Sequence, residues 1–385
     1  MTRHDPSQLA AARSRIQAPF PVGIEEEYFL VDAQTKRVAH DVSHAFFEAA
    51  GAAAAGHVSP EFLQAQVEVK SSPHVRMAEA RSEMRDLRRT VAAVAAEHGL
   101  AILAAGTHPT ALWRSARQTP KQRYDAVMQD LQMIGQRDLL CGLHVHVELP
   151  DPDERIDVMY RMLPYLPLLL ALSTSSPFWQ AHRTGLKGYR LAAYDELPRT
   201  GVPELFRTRE EFDGYVAALV RAGVIQDSSY IWWSIRPSLC NPTLELRAPD
   251  CCTLIEDGIA IAALYRTLAR HLCLNPWRNA DLDTVQRALI IENKWRAQRY
   301  GVQGTFATQE GALPVADMLE QVIEQTASDT DALGCSEELE RCRAIAAGGT
   351  SADVQLAVFE ANGAAERGDA ALRAVTDWLA SATLQ

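Results

Sequence analysis

Four short segments of the chain place chemically able side chains at every second position. Glu25 and Glu27 alternate with Ile24, Glu26 and Tyr28, and Gln64, Gln66 and Glu68 alternate with Ala65, Val67 and Val69. His144, His146 and Glu148 alternate with Leu143, Val145 and Val147, and Glu245 and Arg247 alternate with Leu244 and Leu246. A period of two is the strand period, so each segment has one apolar and one polar face. For one strand alone, apolar to the core and polar to water is explanation enough. Together the four are different. Water-facing strands usually carry Thr, Ser and Lys, whereas these faces carry carboxylates, imidazoles and a guanidinium. If the four strands join one sheet, Glu25, Glu27, Glu68 and Glu245 share a concave surface. Carboxylates that close repel and shift each other's titration. A divalent cation is the simplest neutraliser: Mg²⁺ and Mn²⁺ favour oxygen ligands, and Mn²⁺ also accepts imidazole. Nucleotide phosphates bind in such places, because the metal bridges their oxygens and offsets the charge of transfer.

No G-x-x-x-x-G-K-[ST] and no G-x-G-x-x-G occurs, so neither a P-loop nor a Rossmann site handles the phosphates. That task falls to metals and to the planar forks of Arg247, Arg236 and Arg190. On a helix at 285–299, Glu292, Asn293, Arg296 and Arg299 share one side. They either touch a ligand or form ordinary i,i+4 surface pairs. His108 either reaches the site from a strand end or bonds to backbone. Trp232-Trp233 and Phe178-Trp179 read as core or pocket wall, with packing against adenine as the functional alternative.

The elements that must position these residues follow from patterning. The 385 residues are 47% hydrophobic and 23% charged, a globular mixture. The formal net charge of −11 leaves no dense basic face for nucleic acid. Seven cysteines, an odd number without a C-x-x-C pair, read as free buried thiols in a reducing cytosol. No signal peptide is indicated, and Leu163–Leu172, with Pro164 and Pro167, is too short to span a bilayer, so no membrane partner is expected. Strand patterns cover Val22–Asp32, Phe62–Ser71, Leu100–Ala105, Leu139–Leu149, Tyr230–Ile235 and Pro242–Ala248. Helical patterns cover Ser43–Ala54, 75–98, Gln122–Ile134, 153–172 and 209–222, with a long irregular stretch at 173–206. From Thr253 the pattern is helical, with breaks near 276, 301–312, 328–336 and 348–351. The expectation is an α+β fold: an arm at 1–18, then one domain over 19–385 with a helical C-terminal portion.

Seven motifs occur in order: Gly23-Ile24-Glu25-Glu26-Glu27, Gln66-Val67-Glu68, Gly142-Leu143-His144-Val145-His146-Val147, Ser176-Pro177-Phe178-Trp179, Trp232-Trp233-Ser234-Ile235-Arg236-Pro237, Glu245-Leu246-Arg247-Ala248-Pro249-Asp250, and the run from Glu292 to Gly301. Together they resemble the bacterial carboxylate–amine ligase family labelled glutamate–cysteine ligase 2, over about residues 20 to 375. The E-x-E, G-x-H-x-H and E-x-R strands more distantly resemble those of glutamine synthetase. The resemblance implies a curved antiparallel sheet forming a funnel, with helices outside. It implies ATP-dependent joining of a carboxylate to an amine through an acyl phosphate, weakly for glutamate with cysteine. Glu25, Glu27, Glu68, His144 and Glu245 would hold two or more Mg²⁺ or Mn²⁺ ions. His146 and Arg247 would face the phosphates, with Arg236 as a second anion site. Arg190 and Arg236 would meet substrate, and Asn293 and Arg296 the nucleotide. A homodimer in the cytoplasm, acting on amino acids, is the accompanying expectation. Arg183 and Ser234 stand where the family commonly has acidic residues, which bears on substrate identity. Two readings compete: a metal-dependent amide hydrolase, and a nucleotide-binding regulator without turnover.

Overall fold

A computed structural model describes residues 16–363 and 368–385. All but the last three residues of the expected N-terminal arm lie outside these. The alternating segments become neighbouring strands of one antiparallel sheet. Its strands are β1 (Val22–Asp32), β2 (Val58–Pro60), β3 (Gln66–Lys70), β4 (Leu100–Leu103), β5 (Leu143–Glu148), β8 (Ile235–Pro237) and β9 (Thr243–Leu246), with a separate ribbon of β6 (Phe178–Trp179) and β7 (His182–Arg183). The order across the sheet is β2-β3-β1-β5-β9-β8, and β4 pairs with the far half of β1.

The apolar face of the sheet is closed by two long helices, Met77–Glu97 and Ile255–Leu274. The first buries Met77, Ala80, Met84, Leu87, Val91 and Val94, a stripe with spacings of three and four. Gly99, at φ +69, ends that segment in the left-handed region. The second helix is buried at nearly every position, since Ser336–Gly348 covers its far side. The last helix, Gly368–Ala382, packs beside β4.

One charged pair sits inside this apolar layer. Glu26, between the two polar-face glutamates of β1, points backwards into it. Arg88 donates to its carboxylate from two nitrogens at 2.7 and 2.8 Å, and Tyr28 donates its hydroxyl at 2.5 Å. Arg88 also donates to the carbonyls of Cys252 and Thr253 at 2.8 Å, tying β1 to the loop before the second helix.

Several stretches differ from the expectation, and three stand out. The helix expected at 153–172 is Arg155–Met162, a 3₁₀ turn at Leu163–Tyr165, and Leu166–Ser173. Pro164 and Pro167 fall at helix starts, where a missing N–H costs least. By length and composition Pro152–Ser173 could cross a membrane, but 89% of its apolar window is buried within the fold. The run Tyr230–Ile235 is not a strand; Asp227 caps a 3₁₀ turn at Ser228–Tyr230, and pairing begins only at Ile235. The break at 301–312 holds a hairpin of β10 (Thr305–Thr308) and β11 (Gly311–Pro314).

Candidate active site

Strand register brings the polar positions together. Glu25 lies opposite Lys70 of β3 and opposite His144 of β5, and Glu27 lies opposite Glu68. His146 lies opposite Glu245 of β9, which in turn faces Arg236 of β8. Because neighbouring strands share a face at paired positions, all these side chains rise from one surface.

The side chains of this surface approach one another closely. His144 Nδ1 is 3.6 Å from Glu25 Oε2, and its Nε2 is 3.8 Å from Glu27 Oε1. Neither ring nitrogen of His144 has a hydrogen-bond partner, although the ring is 3% exposed. His146 Nε2 is likewise unpartnered, 3.4 Å from Glu25 Oε1, while its Nδ1 shares a 2.8 Å hydrogen bond with Thr243 Oγ1. Orphaned buried nitrogens are costly in any protein. Two sets of donors converge: Glu25, Glu68 and His144 offer atoms within 4.8 Å of one another, and so do Glu27, Glu61 and Glu68. Glu68 belongs to both.

Electrostatics point the same way. Burial pushes the Glu27 carboxyl up to about 7, with Glu68 adding to the shift and Arg190 opposing it. Burial also raises Glu61 and Glu68, reinforced by their mutual repulsion and that of Glu25 and Glu27. Burial, helped by Arg247, pulls His144 down to about 3, leaving its imidazole neutral as a ligand must be. Lys70 meets Glu68 at 2.8 Å and Glu25 at 3.3 Å, yet one ammonium does not balance the group. An oxygen-rich set with one neutral imidazole fits Mg²⁺ or Mn²⁺.

The other expected residues divide. Glu245 is adjacent but clamped: Arg236 holds it from two nitrogens at 2.8 and 3.1 Å, and Arg247 donates at 2.5 Å. Burial pushes Glu245 up, but Arg247 and Arg236 outweigh it and hold its carboxyl well below the usual range. Arg236 spends its remaining contacts on the carbonyls of Ser229 and Ile231. Arg190 donates to the carbonyls of Arg247 and Pro249 at 3.2 and 3.0 Å, and Arg247 donates to the Tyr194 hydroxyl at 3.2 Å; the Nε of each arginine is unpartnered. Asn293 and Arg296 are not brought to this surface. Asn293 brackets the Ala307 backbone at 2.7 and 2.8 Å, and Arg296 donates to Thr305, so both hold the β10–β11 hairpin. His108 bonds to the Lys36 carbonyl and the Thr110 N–H, as a backbone-bonded loop histidine.

A cavity opens beside the carboxylates. Glu27, Glu61, Arg123, Asp138, Arg190 and Arg247 line it, with Tyr124, Tyr194 and Trp232 as walls. Sequence reasoning missed Glu61, Arg123 and Asp138, which lie off the strands and carry no period. The available signal for Glu61 was its place just before the expected strand Phe62–Ser71. Burial pushes the thiols of Cys141, Cys251 and Cys252 far up, so they are not nucleophiles at neutral pH.

Against known proteins, residues 21–375 match the family model described as "Glutamate-cysteine ligase family 2". A Bradyrhizobium sp. (strain ORS 278) protein named "Putative glutamate--cysteine ligase 2" is 54% identical over 365 residues, covering 95% of this chain and 88% of that one. A protein of the same name from Rhodospirillum rubrum is 46% identical over 373 residues, covering 95% and 96%. Among solved structures, the Francisella tularensis glutamate–cysteine ligase in complex with AMP superposes with a TM-score of 0.66 at 13% identity, covering 94% of this chain and 89% of that one. The bifunctional glutathione synthetase from Pasteurella multocida gives 0.70 at 14% identity; this chain is covered over 98% and spans 54% of that one. The architecture these share is the glutamine synthetase-like fold.

Proposed function

We propose, from the premise that the chain belongs to glutamate–cysteine ligase family 2 and is an ATP-dependent carbon–nitrogen ligase, that it joins an amino-acid carboxylate to an amine through an acyl phosphate. One observation carries this reading. Two donor groups sharing Glu68 stand beside a cavity that Arg190 and Arg247 also line, each with a buried Nε that has no partner. A hydrolase would need cations to activate water; it would not need arginines facing an anion in the same cavity.

A carboxylate is a poor acyl donor, because its oxygen is a poor leaving group. Transfer of the γ-phosphoryl group to that oxygen, with loss of ADP, makes phosphate the leaving group. Both reactants are anions, so the barrier is largely repulsion and positioning. Glu25, Glu27, Glu61, Glu68 and His144 would hold Mg²⁺ or Mn²⁺, which supplies opposing charge to phosphoryl oxygens. Arg190 and Arg247 orient the substrate carboxylate through their free N–H groups. Glu245 fixes the Arg247 fork and is itself fixed by Arg236, so both act as a frame. His146 is held by Thr243 with its Nε2 presented to the site. Tyr124, Tyr194 and Trp232 wall the cavity against water, and the buried thiols of Cys141, Cys251 and Cys252 support a reducing compartment, the cytoplasm.

The test is ADP release from Mg²⁺-ATP with an array of amino acids. Release that requires both an acid and an amine is the expected result. Amide cleavage without ATP, or ATP binding with no productive pair, would overturn the reading.

A further inference from the structure

Asp138 is the one acidic cavity residue outside the cation-binding set. It follows the short helix Met133–Gln136 and lies outside the strands that carry the carboxylates. Among the described residues, no hydrogen bond or ion pair reaches its carboxylate, although it shares the cavity with Arg190 and Arg247. Those arginines hydrogen-bond to other groups: Arg190 to the carbonyls of Arg247 and Pro249, and Arg247 to Glu245 and Tyr194. Asp138 feels both charges across the cavity but is bonded to neither, so its carboxylate oxygens remain available to a ligand.

The two faces of the cavity complement two different charges. Arg190 and Arg247 with free N–H groups suit the acid, whose carboxylate must lie next to the cation-binding donors. An amine arrives at neutral pH as an ammonium, and the arginines repel it. It needs a carboxylate that the cations do not claim. We infer that Asp138 binds the incoming amine as its ammonium and takes one of its protons, which makes Asp138 a catalytic residue of the second half-reaction. This rests on the ligase reading.

The step balances as follows. The ammonium gives one proton to the Asp138 carboxylate, and the freed nitrogen pair forms the C–N bond at the acyl carbon. The bond from that carbon to the phosphate oxygen breaks, its electron pair leaving with the phosphate. The departing phosphate takes the second nitrogen proton, so acyl phosphate, ammonium and carboxylate become amide, hydrogen phosphate and carboxylic acid. Burial pushes the Asp138 carboxyl up to about 6, against the pull of Arg190 and Arg247, which suits a group that must accept a proton near neutrality.

The test compares two nucleophiles with L-glutamate and Mg²⁺-ATP. Hydroxylamine is largely neutral at pH 7 and needs neither an anion to hold it nor a base. L-cysteine arrives as an ammonium and needs both. Asp138→Asn should lower amide formation with L-cysteine at least tenfold more than hydroxamate formation, and Asp138→Glu should recover part of that difference. Equal loss of both products in Asp138→Asn, with Asp138→Glu no better, assigns Asp138 to the fold or the acid site and overturns the proposal. No selective loss overturns it as well. Absence of hydroxamate and amide in the unaltered protein with every acid and amine of the amino-acid array sinks the ligase reading itself, a result separate from either of these.

Discussion

At Glu27, activity and stability pull in opposite directions. Its carboxyl is raised from the ordinary 4.5 to about 7 because burial and Glu68 disfavour the charge. A raised folded pKa means that stability is fully present below the unfolded value and lost as pH rises through the folded one. At pH 8 without metal, the cost of ionising Glu27 is on the order of 3 kcal/mol. Glu27→Gln should therefore stabilise the metal-free protein at pH 8 by a few kcal/mol and leave it nearly unchanged at pH 4.5, as read by urea unfolding. The same variant should lose at least 100-fold in ADP release, since an amide is a poor cation ligand. A variant that is destabilised at pH 8, or that keeps its turnover, refutes the assignment of Glu27 to the cation site. A second residue-scale expectation concerns Gly142. A Cβ there would overlap the Arg190 guanidinium, 2.7 Å from its Cζ, and lie 3.0 Å from His144 Nε2. Gly142→Ala should cost at least tenfold in kcat/KM, measured by the same ADP assay, with the thermal midpoint little changed; unchanged kinetics would mean that Arg190 can move away freely.

At the scale of elements, β1 does two jobs at adjacent positions. Glu25 and Glu27 serve the site, while Glu26 is anchored behind it by Arg88 and Tyr28. Arg88→Met leaves the buried Glu26 carboxylate with only the Tyr28 hydroxyl, and takes their donor from the carbonyls of Cys252, Thr253 and Thr383. Removing one partner of a buried pair costs roughly 3–5 kcal/mol, and replacing both restores much of that. Urea unfolding should thus find Glu26→Gln/Arg88→Met well above Arg88→Met alone; equal stabilities would show that Arg88 matters for its carbonyl contacts and not for Glu26. This strand was legible in the sequence because its alternation specifies both faces, and a register slip of one residue would bury Glu25 and Glu27. The same held for β3, β5 and β9. Where period carried no information, reading failed. Glu61 and Asp138 sit in links, whose conformation depends on the elements they join. The apolar run at Tyr230–Ile235 imitates a strand, but Asp227 offers a local hydrogen bond that wins. Asn293 and Arg296 do share a helix side, but it faces the β10–β11 hairpin, which the sequence showed only as a break.

Across the whole molecule, the cavity acids and the clamped acids respond differently to pH, and that difference isolates the cation site. Glu25 and Glu245 are held well below the usual carboxylate range by His144, His146, Lys70 and the two arginines, despite burial. They remain ionised from pH 6 to pH 8 and contribute a constant. His108 and His144, lowered to about 4 and about 3 by burial, make the fold lose stability as pH falls below about 6.5, but they do so with or without metal because they stay neutral in the folded protein. Glu27, raised to about 7, gives up its proton when a cation arrives, since a ligand carboxylate must be ionised. A ligand that binds only the folded state stabilises it by about 2.7 kcal/mol at a hundredfold excess over its Kd. The gain in thermal midpoint from saturating Mg²⁺ should accordingly be several degrees at pH 8 and clearly smaller at pH 6, where protons compete for the same oxygens. Chelation should reverse it, and Glu68→Gln, which removes the carboxylate common to both donor groups, should abolish the gain at both pH values. A gain independent of pH, or one that survives Glu68→Gln, would place the cation elsewhere in the molecule and leave the carboxylate cluster without a role.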